Sequence, residues 1–189
     1  MPQGLVRHQP GICRCNSTLS NIARPRYLAG MGGHAGNFCF LEEHSPQLAK
    51  LGRLAERYFH DDPPGALTKL RQFAEITAKE VAARQALLAN ERANFDDVLR
   101  ALRARSFLPP EIADLFHHLR RVGNAAVHED RGTASDALTG LKIARAIGVW
   151  FHQSYGGAPS YRAGPFVPPA TPADVGKALR EEIDRLQAA

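Results

Sequence analysis

The sequence predicts an all-α protein: a bundle of five to six helices with a disordered N-terminal tail. A proline-rich C-terminal segment then leads into a short coiled-coil-like helix. Three observations carry this expectation. Apolar residues recur at helical spacing from Ser45 to Tyr155, no segment alternates with period two over a useful length, and the breaks between periodic stretches fall on Pro, Gly and Asp clusters. With 189 residues, 44% of them hydrophobic, the chain suits one domain plus tails and can bury a core.

Residues 1–36 are rich in Gly, Pro, Arg and Asn, lack periodicity and read as disordered. Met31 is the other methionine, and the text after it resembles a natural beginning, so residues 1–30 read as an over-extended start. The helical domain is expected over 37–157. Ser45-Pro46 is an N-cap followed by a first-turn proline, and Leu48, Leu51, Ala55, Tyr58 and Phe59 follow at helical spacing. Asp61-Asp62-Pro63-Pro64-Gly65 ends that helix and starts a long second one, about 65 to 90, with Leu67, Leu70, Phe73, Ala74, Thr77 and Val81 on one face. A third begins near Asn94 and uses Phe95, Val98, Leu99 and Leu102. Pro109-Pro110 opens a fourth, with Ile112, Leu115, Phe116, Leu119 and Val122 inward. A fifth covers about 133 to 155 through Leu138, Leu141, Ala144, Ile147, Trp150 and Phe151, ending at Gly156-Gly157. Residues 158–172 read as an extended proline-rich segment. Over 173–189, Val175, Leu179, Ile183 and Leu186 form a narrow stripe after a capping-like Thr171-Pro-Ala-Asp174. That stripe is too short to be stable alone and resembles a domain cut from something longer.

Several function classes recede on composition. No apolar run approaches the ~20 residues of a membrane span, and His8, Pro10 and Arg14 interrupt any secretory signal, so a cytoplasmic protein is expected. Of the net +5 charge, Arg7, Arg14, Arg24 and Arg26 supply four from a stretch without Asp or Glu, so the rest of the chain is near neutral. Cys13, Cys15 and Cys39 lie outside the helical part, and an odd count suggests no disulfide framework. With His34 they offer zinc ligands at a spacing foreign to a knuckle or ribbon, so no metal and no cofactor is expected.

On the fourth helix, at ~100° per residue, Ile112, Leu115, Leu119, Val122 and Ala126 gather on one side. His117, Arg121, Asn124 and His128 gather opposite. If the helix continues through Gly123, Arg121 and His128 lie two turns apart, roughly 10 Å along the axis, with Asn124 between. A permanent cation, an amide and an imidazole that exchanges protons near neutral pH suit a phosphodiester: histidine for proton transfer, arginine for charge on phosphate oxygens. By spacing alone the stripe is what any solvated helix face carries. His117, like His60, His118 and His152, has no partner of this kind and reads as surface or boundary. Arg71 and Glu75, at the edge of the second helix's apolar face, would support the centre or simply pair with each other.

The string LRRVGNAAVHED (119–130), preceded by YFHDDPPGALTKLRQFAE (58–75), resembles the HEPN superfamily of helical nucleotide-binding domains. More narrowly it resembles the domain of unknown function at the N-terminus of type I restriction R subunits and related DEAD/DEAH-box helicases. The likeness covers about residues 37–168 and includes GVWFH (148–152) and GPFVPP (164–169). It implies a five- to six-helix HEPN-like bundle, usually dimeric. In active relatives an Arg, four to six residues and a His cleave RNA without metal, with a ribose 2′-OH as nucleophile. Carried over, Arg121 would stabilise phosphate, His128 transfer protons and Asn124 position, with Arg71, Glu75 and His117 in support. The stripe over 175–186 matches what precedes the helicase in long relatives. Two readings follow: a metal-independent endoribonuclease in defence or as a toxin, or a non-catalytic accessory module. The second would bind RNA, another nucleic acid, or a helicase or restriction subunit. A fragment of a longer restriction protein is a third.

Overall fold

The computed structural model describes residues 36–87 and 93–187. The tail expected over 1–36, with Cys13, Cys15, Met31 and His34, lies outside the described residues apart from Gly36. A 3-10 turn, η1 (Cys39–Leu41), precedes α1 (Pro46–Tyr58), α2 (Pro63–Arg84), α3 (Phe95–Ala104), α4 (Pro110–Glu129), α5 (Ala134–Tyr155) and α6 (Pro172–Gln187). The fold is an all-α bundle, with no strand among the described residues.

The second helix is the hub, packing against α1, α3, α4 and α5. Its Leu67, Leu70, Phe73, Ala74, Ala78 and Val81 are all fully or almost fully buried. Each Leu or Phe so placed contributes roughly 1.5–3 kcal/mol. Phe73 meets Phe38 edge-on at 5.5 Å, and Phe116 of α4 lies edge-on to Phe95 of α3 and Trp150 of α5 at 6.4 and 6.2 Å. Asp62, Asn94 and Thr133 each accept a backbone N–H at the start of α2, α3 and α5, satisfying donors that a helix start leaves open.

Four expectations need correction. Ser45 occupies the N-cap position of α1 but makes no side-chain cap; its Oγ donates instead to Glu80 Oε1 at 2.8 Å, tying α1 to α2. The second helix stops at Arg84 rather than near 90. Ala86 turns left-handed (φ 53°), and Leu87 N–H returns to the Ala82 carbonyl at 2.9 Å. This is a Schellman ending without its usual glycine, so no breaker residue marks it. Cys39 sits half-buried in η1 rather than outside the helical part. On α4, the deepest residues are Ala113, Phe116, Leu119, Gly123 and Ala126, whereas Ile112, Leu115 and Val122 are only partly buried. The inward face is rotated toward the small residues because they let α4 approach the hub closely.

Beyond α5, residues 158–171 follow the bundle surface without regular secondary structure. The last helix makes no packing contact with another helix among the described residues, and its Leu179, Ile183 and Leu186 are exposed. The side chain of Val175, expected in the same stripe, lies outside the described set. No described helix is long and apolar enough to cross a membrane.

Candidate functional site

α4 runs unbroken from Pro110 to Glu129, so Gly123 does not interrupt it. Arg121 and His128 therefore share one face two turns apart, roughly 10 Å along the axis. Both are exposed, and neither has a hydrogen bond or ion pair among the described residues. Asp130 adopts a left-handed conformation (φ 50°) and ends the helix just past His128, which places that imidazole in the last turn.

Asn124 differs from its two neighbours in the stripe. It is half-buried at the seam between α4 and α2, and its Oδ1 accepts from Arg71 Nε at 2.6 Å. Arg71 also donates to Glu75 Oε2 at 3.3 Å, and Lys79 Nζ lies 2.9 Å from Glu75 Oε1. The result is a ladder, Asn124–Arg71–Glu75–Lys79, crossing from α4 onto α2. About a quarter of the Arg71 and Glu75 side chains stays exposed (27% and 23%), so solvent weakens these bonds without erasing them. Gly123 makes the ladder possible. A Cβ there would fall on Cβ of Arg71, so only glycine lets the arginine stem cross the helix at this point.

The structure thus joins Asn124, Arg71 and Glu75, and leaves Arg121 and His128 open beside them. His117 is half-buried one turn before Arg121, with no bond to the stripe. Lys79 went unnoticed in sequence, although Glu75–Lys79 at i,i+4 is a pairing signal. Glu75 is thus shared by two cations, Arg71 and Lys79. No cluster of three His, Cys, Asp or Glu with metal-holding geometry occurs among the described residues.

Elsewhere, His44, in the turn between η1 and α1, stacks on His152 of α5 at 4.8 Å, with their ring nitrogens 3.4 Å apart. Burial lowers both pKa values; Arg84 adds to this for His44 and the neighbouring His44 for His152, while Glu43 opposes in each case. Glu56 shifts the other way: burial raises its pKa, against hydrogen bonding from Asn37 and the nearby Arg53 and Arg145. His152 read as a boundary residue in sequence, and its partner carried no signal there.

The model of a family described as a domain of unknown function (DUF4145) matches residues 53–154, which contain Arg71, Glu75, Lys79 and the whole α4 stripe. Among curated proteins, the Type I restriction enzyme EcoKI endonuclease subunit of Escherichia coli (strain K12) is 36% identical over 119 residues. That stretch is 62% of this chain and 10% of the relative, so the chain spans only a small part of that subunit's length. No solved structure matches.

Proposed function

The chain belongs to the DUF4145 family, and from that premise we propose that it is a HEPN-like nucleic-acid-handling domain of a restriction or defence system, with Arg121 and His128 acting on RNA as a metal-independent endoribonuclease. The observation that carries this reading is the contrast within one stripe. Asn124 is anchored by Arg71, while Arg121 and His128 project unpartnered into solvent. Solvated arginine and histidine held on a rigid helix can meet a phosphodiester without first breaking bonds inside the protein. The likeness to a restriction endonuclease subunit supports the setting.

In this mechanism His128 accepts the proton of a ribose 2′-OH as the 2′ oxygen attacks phosphorus. The bond from phosphorus to the 5′ oxygen breaks, leaving a 2′,3′-cyclic phosphate, and the departing oxygen takes up a proton from an imidazolium. Arg121 neutralises the charge gathering on the non-bridging oxygens. Asn124, oriented by Arg71 and Glu75, positions the phosphate, with His117 at the margin. The site is formed by two copies of the chain, and the protein works in the cytoplasm, alone or beside a helicase or restriction subunit.

The test is RNA cleavage by the purified chain in EDTA. Wild type should cut RNA and spare DNA of the same sequence, which lacks the nucleophile. His128→Ala and Arg121→Ala should each lose at least about 100-fold, the scale of proton transfer or charge stabilisation. Equal cleavage by wild type and His128→Ala, or none by wild type, refutes the catalytic reading.

One observation favours a second reading. The ladder ties the middle of the stripe into the α2–α4 packing, as a purely structural motif would. A non-catalytic module would then bind nucleic acid through Arg121. Its binding would weaken steeply with salt and proceed without turnover.

A further inference from the structure

Two segments singled out in sequence, GVWFH and GPFVPP, play no part in the α4 stripe; in the structure Tyr161, just before the second, packs on His152 of the first. Residues 158–169 lie along η1, the end of α1 and α5, held by backbone hydrogen bonds and by two aromatic side chains. Five carbonyls of this strap take hydrogen bonds from bundle side chains. Tyr161 O accepts from Gln153 at 2.9 Å, and Gly164 O and Pro165 O accept from Arg145 at 2.6 and 3.5 Å. Val167 O accepts from Asn37 Nδ2 at 2.7 Å, and Pro169 O lies 3.2 Å from His60 Nε2. In return, the Val167 N–H donates to Asn37 Oδ1 at 3.0 Å.

This inventory matches a particular ligand chemistry. Pro159, Pro165, Pro168 and Pro169 have no N–H, so a strap of this composition offers many acceptors and few donors. The groove offers the converse: Arg145, Gln153, His60 and the Asn37 amide face strap carbonyls, and Asn37 Oδ1 is placed against the Val167 N–H. Asn37 is 7% exposed and cannot turn over, because its second Nδ2 proton is held by Glu56 Oε1 at 2.6 Å. Two aromatic anchors five residues apart complete the fit. Tyr161 packs on the Phe40 and His152 rings at 5.2 and 4.7 Å, and Lys142 sits 5.9 Å over the Phe166 ring. Proline-rich extended peptides are generally recognised in aromatic-lined grooves, and here Phe40 and His152 supply the rings.

We infer that Asn37, His60, Lys142, Arg145 and Gln153 line a docking groove for an extended, proline-rich peptide with aromatic residues five positions apart. Residues 158–169 fill it in cis, and it is open to a peptide of the same class in trans when they lift away. The strap is built to lift. It has no ladder of its own, its anchors are only partly buried, and it joins α5 through Gly156-Gly157, where Gly157 has φ +73° and a Cβ added there would meet open space. The inference is independent of any chemistry at Arg121 and His128.

The experiment is a titration of the full chain with a fluorescent peptide copying residues 158–170. In wild type the tethered strap competes at an effective concentration in the millimolar range. The variant Tyr161→Ala/Phe166→Ala loosens the strap, so it should bind the peptide at least tenfold more tightly than wild type does. Adding Arg145→Ala should cancel that gain. No binding by the loosened variant, or binding indifferent to Arg145, overturns the inference. Should the double variant fail to fold, Arg145→Ala alone serves: amide exchange at Val167 should rise at least tenfold while α2 amides stay unchanged. An unchanged Val167 amide is then the overturning result.

Discussion

A Cβ at position 123 would fall on Cβ of Arg71, so the glycine in VGN meets a steric demand from the neighbouring helix. Two effects compete in Gly123→Ala. Helix propensity gains about 1 kcal/mol, whereas overpacking a close helix contact costs typically 1–3 kcal/mol. The stem of Arg71 can yield only by giving up its 2.6 Å bond to Asn124, so the loss should win. Urea unfolding should show Gly123→Ala destabilised by about 1 kcal/mol; a variant more stable than wild type would mean the two helices part freely. Asn124→Ala separates the two roles of the same site. It removes the acceptor of Arg71 Nε, so it should lower stability by about 1 kcal/mol, whereas Arg121→Ala and His128→Ala, which break no bond, should leave stability within about 0.5 kcal/mol of wild type.

At the scale of elements, the ends of helices carry strain that substitution can relieve. Ser106 closes α3 at φ 59°, with Phe107 N–H returning to the Leu102 carbonyl at 3.0 Å, a position where a β-carbon costs roughly 1 kcal/mol. Ser106→Gly should raise the melting temperature by roughly 2–4 °C in a chain of this size, and a fall would show that the serine contributes more than its backbone shape. The contact of His44 with His152 of α5 responds to pH instead. Burial favours neutral His44 and His152, so the unfolded chain binds more protons than the folded one as pH falls. Their contribution is full above an ordinary imidazole value of about 6.5 and is lost as pH drops through the depressed folded values. Glu56 has the opposite sign, because its raised carboxyl value makes protonation favour the fold. His152→Gln should therefore shrink the fall in melting temperature between about pH 7.5 and about pH 5.5; an unchanged fall would put the acid sensitivity elsewhere. These features also mark the limit of what sequence discloses. Helices α1 to α5 were legible because each carries a 3.6-residue apolar period and starts at proline or a capping side chain. The end of α2 was not, since Ala86 gives no sign of a left-handed turn. The stacking of His44 on His152 was hidden too, because only tertiary packing joins residues so far apart in the chain. Arg71, Glu75 and the α4 stripe were visible as residue types, but not that Asn124 is tied down while Arg121 and His128 are open.

For the whole molecule, the roughly 10 Å between Arg121 and His128 along one helix becomes a question of symmetry. Proton transfer and charge stabilisation must converge on a single phosphate, each within about 3 Å of the atoms it serves. A long arginine can lean along its own helix, but two copies meet the demand with less distortion. If α4 of each copy crosses a two-fold axis near Asn124 and Ala125, Arg121 of one chain lies beside His128 of the other, and the self-complementary contact produces two equivalent sites. Exposed Val127, next to His128, would then gain apolar cover at the rim. On the proposed ribonuclease function this arrangement has a consequence that a single-chain site lacks. Arg121→Ala and His128→Ala, each inactive alone, should recover activity when mixed. Half of the dimers formed would be mixed, and one of the two sites in each would hold both native residues, so activity should reach about a quarter of wild type. Cleavage assayed after joint refolding reads this directly. Silence in the mixture, with both variants dimeric by sedimentation, would return the pair to a single helix and require Arg121 to reach along α4 unaided.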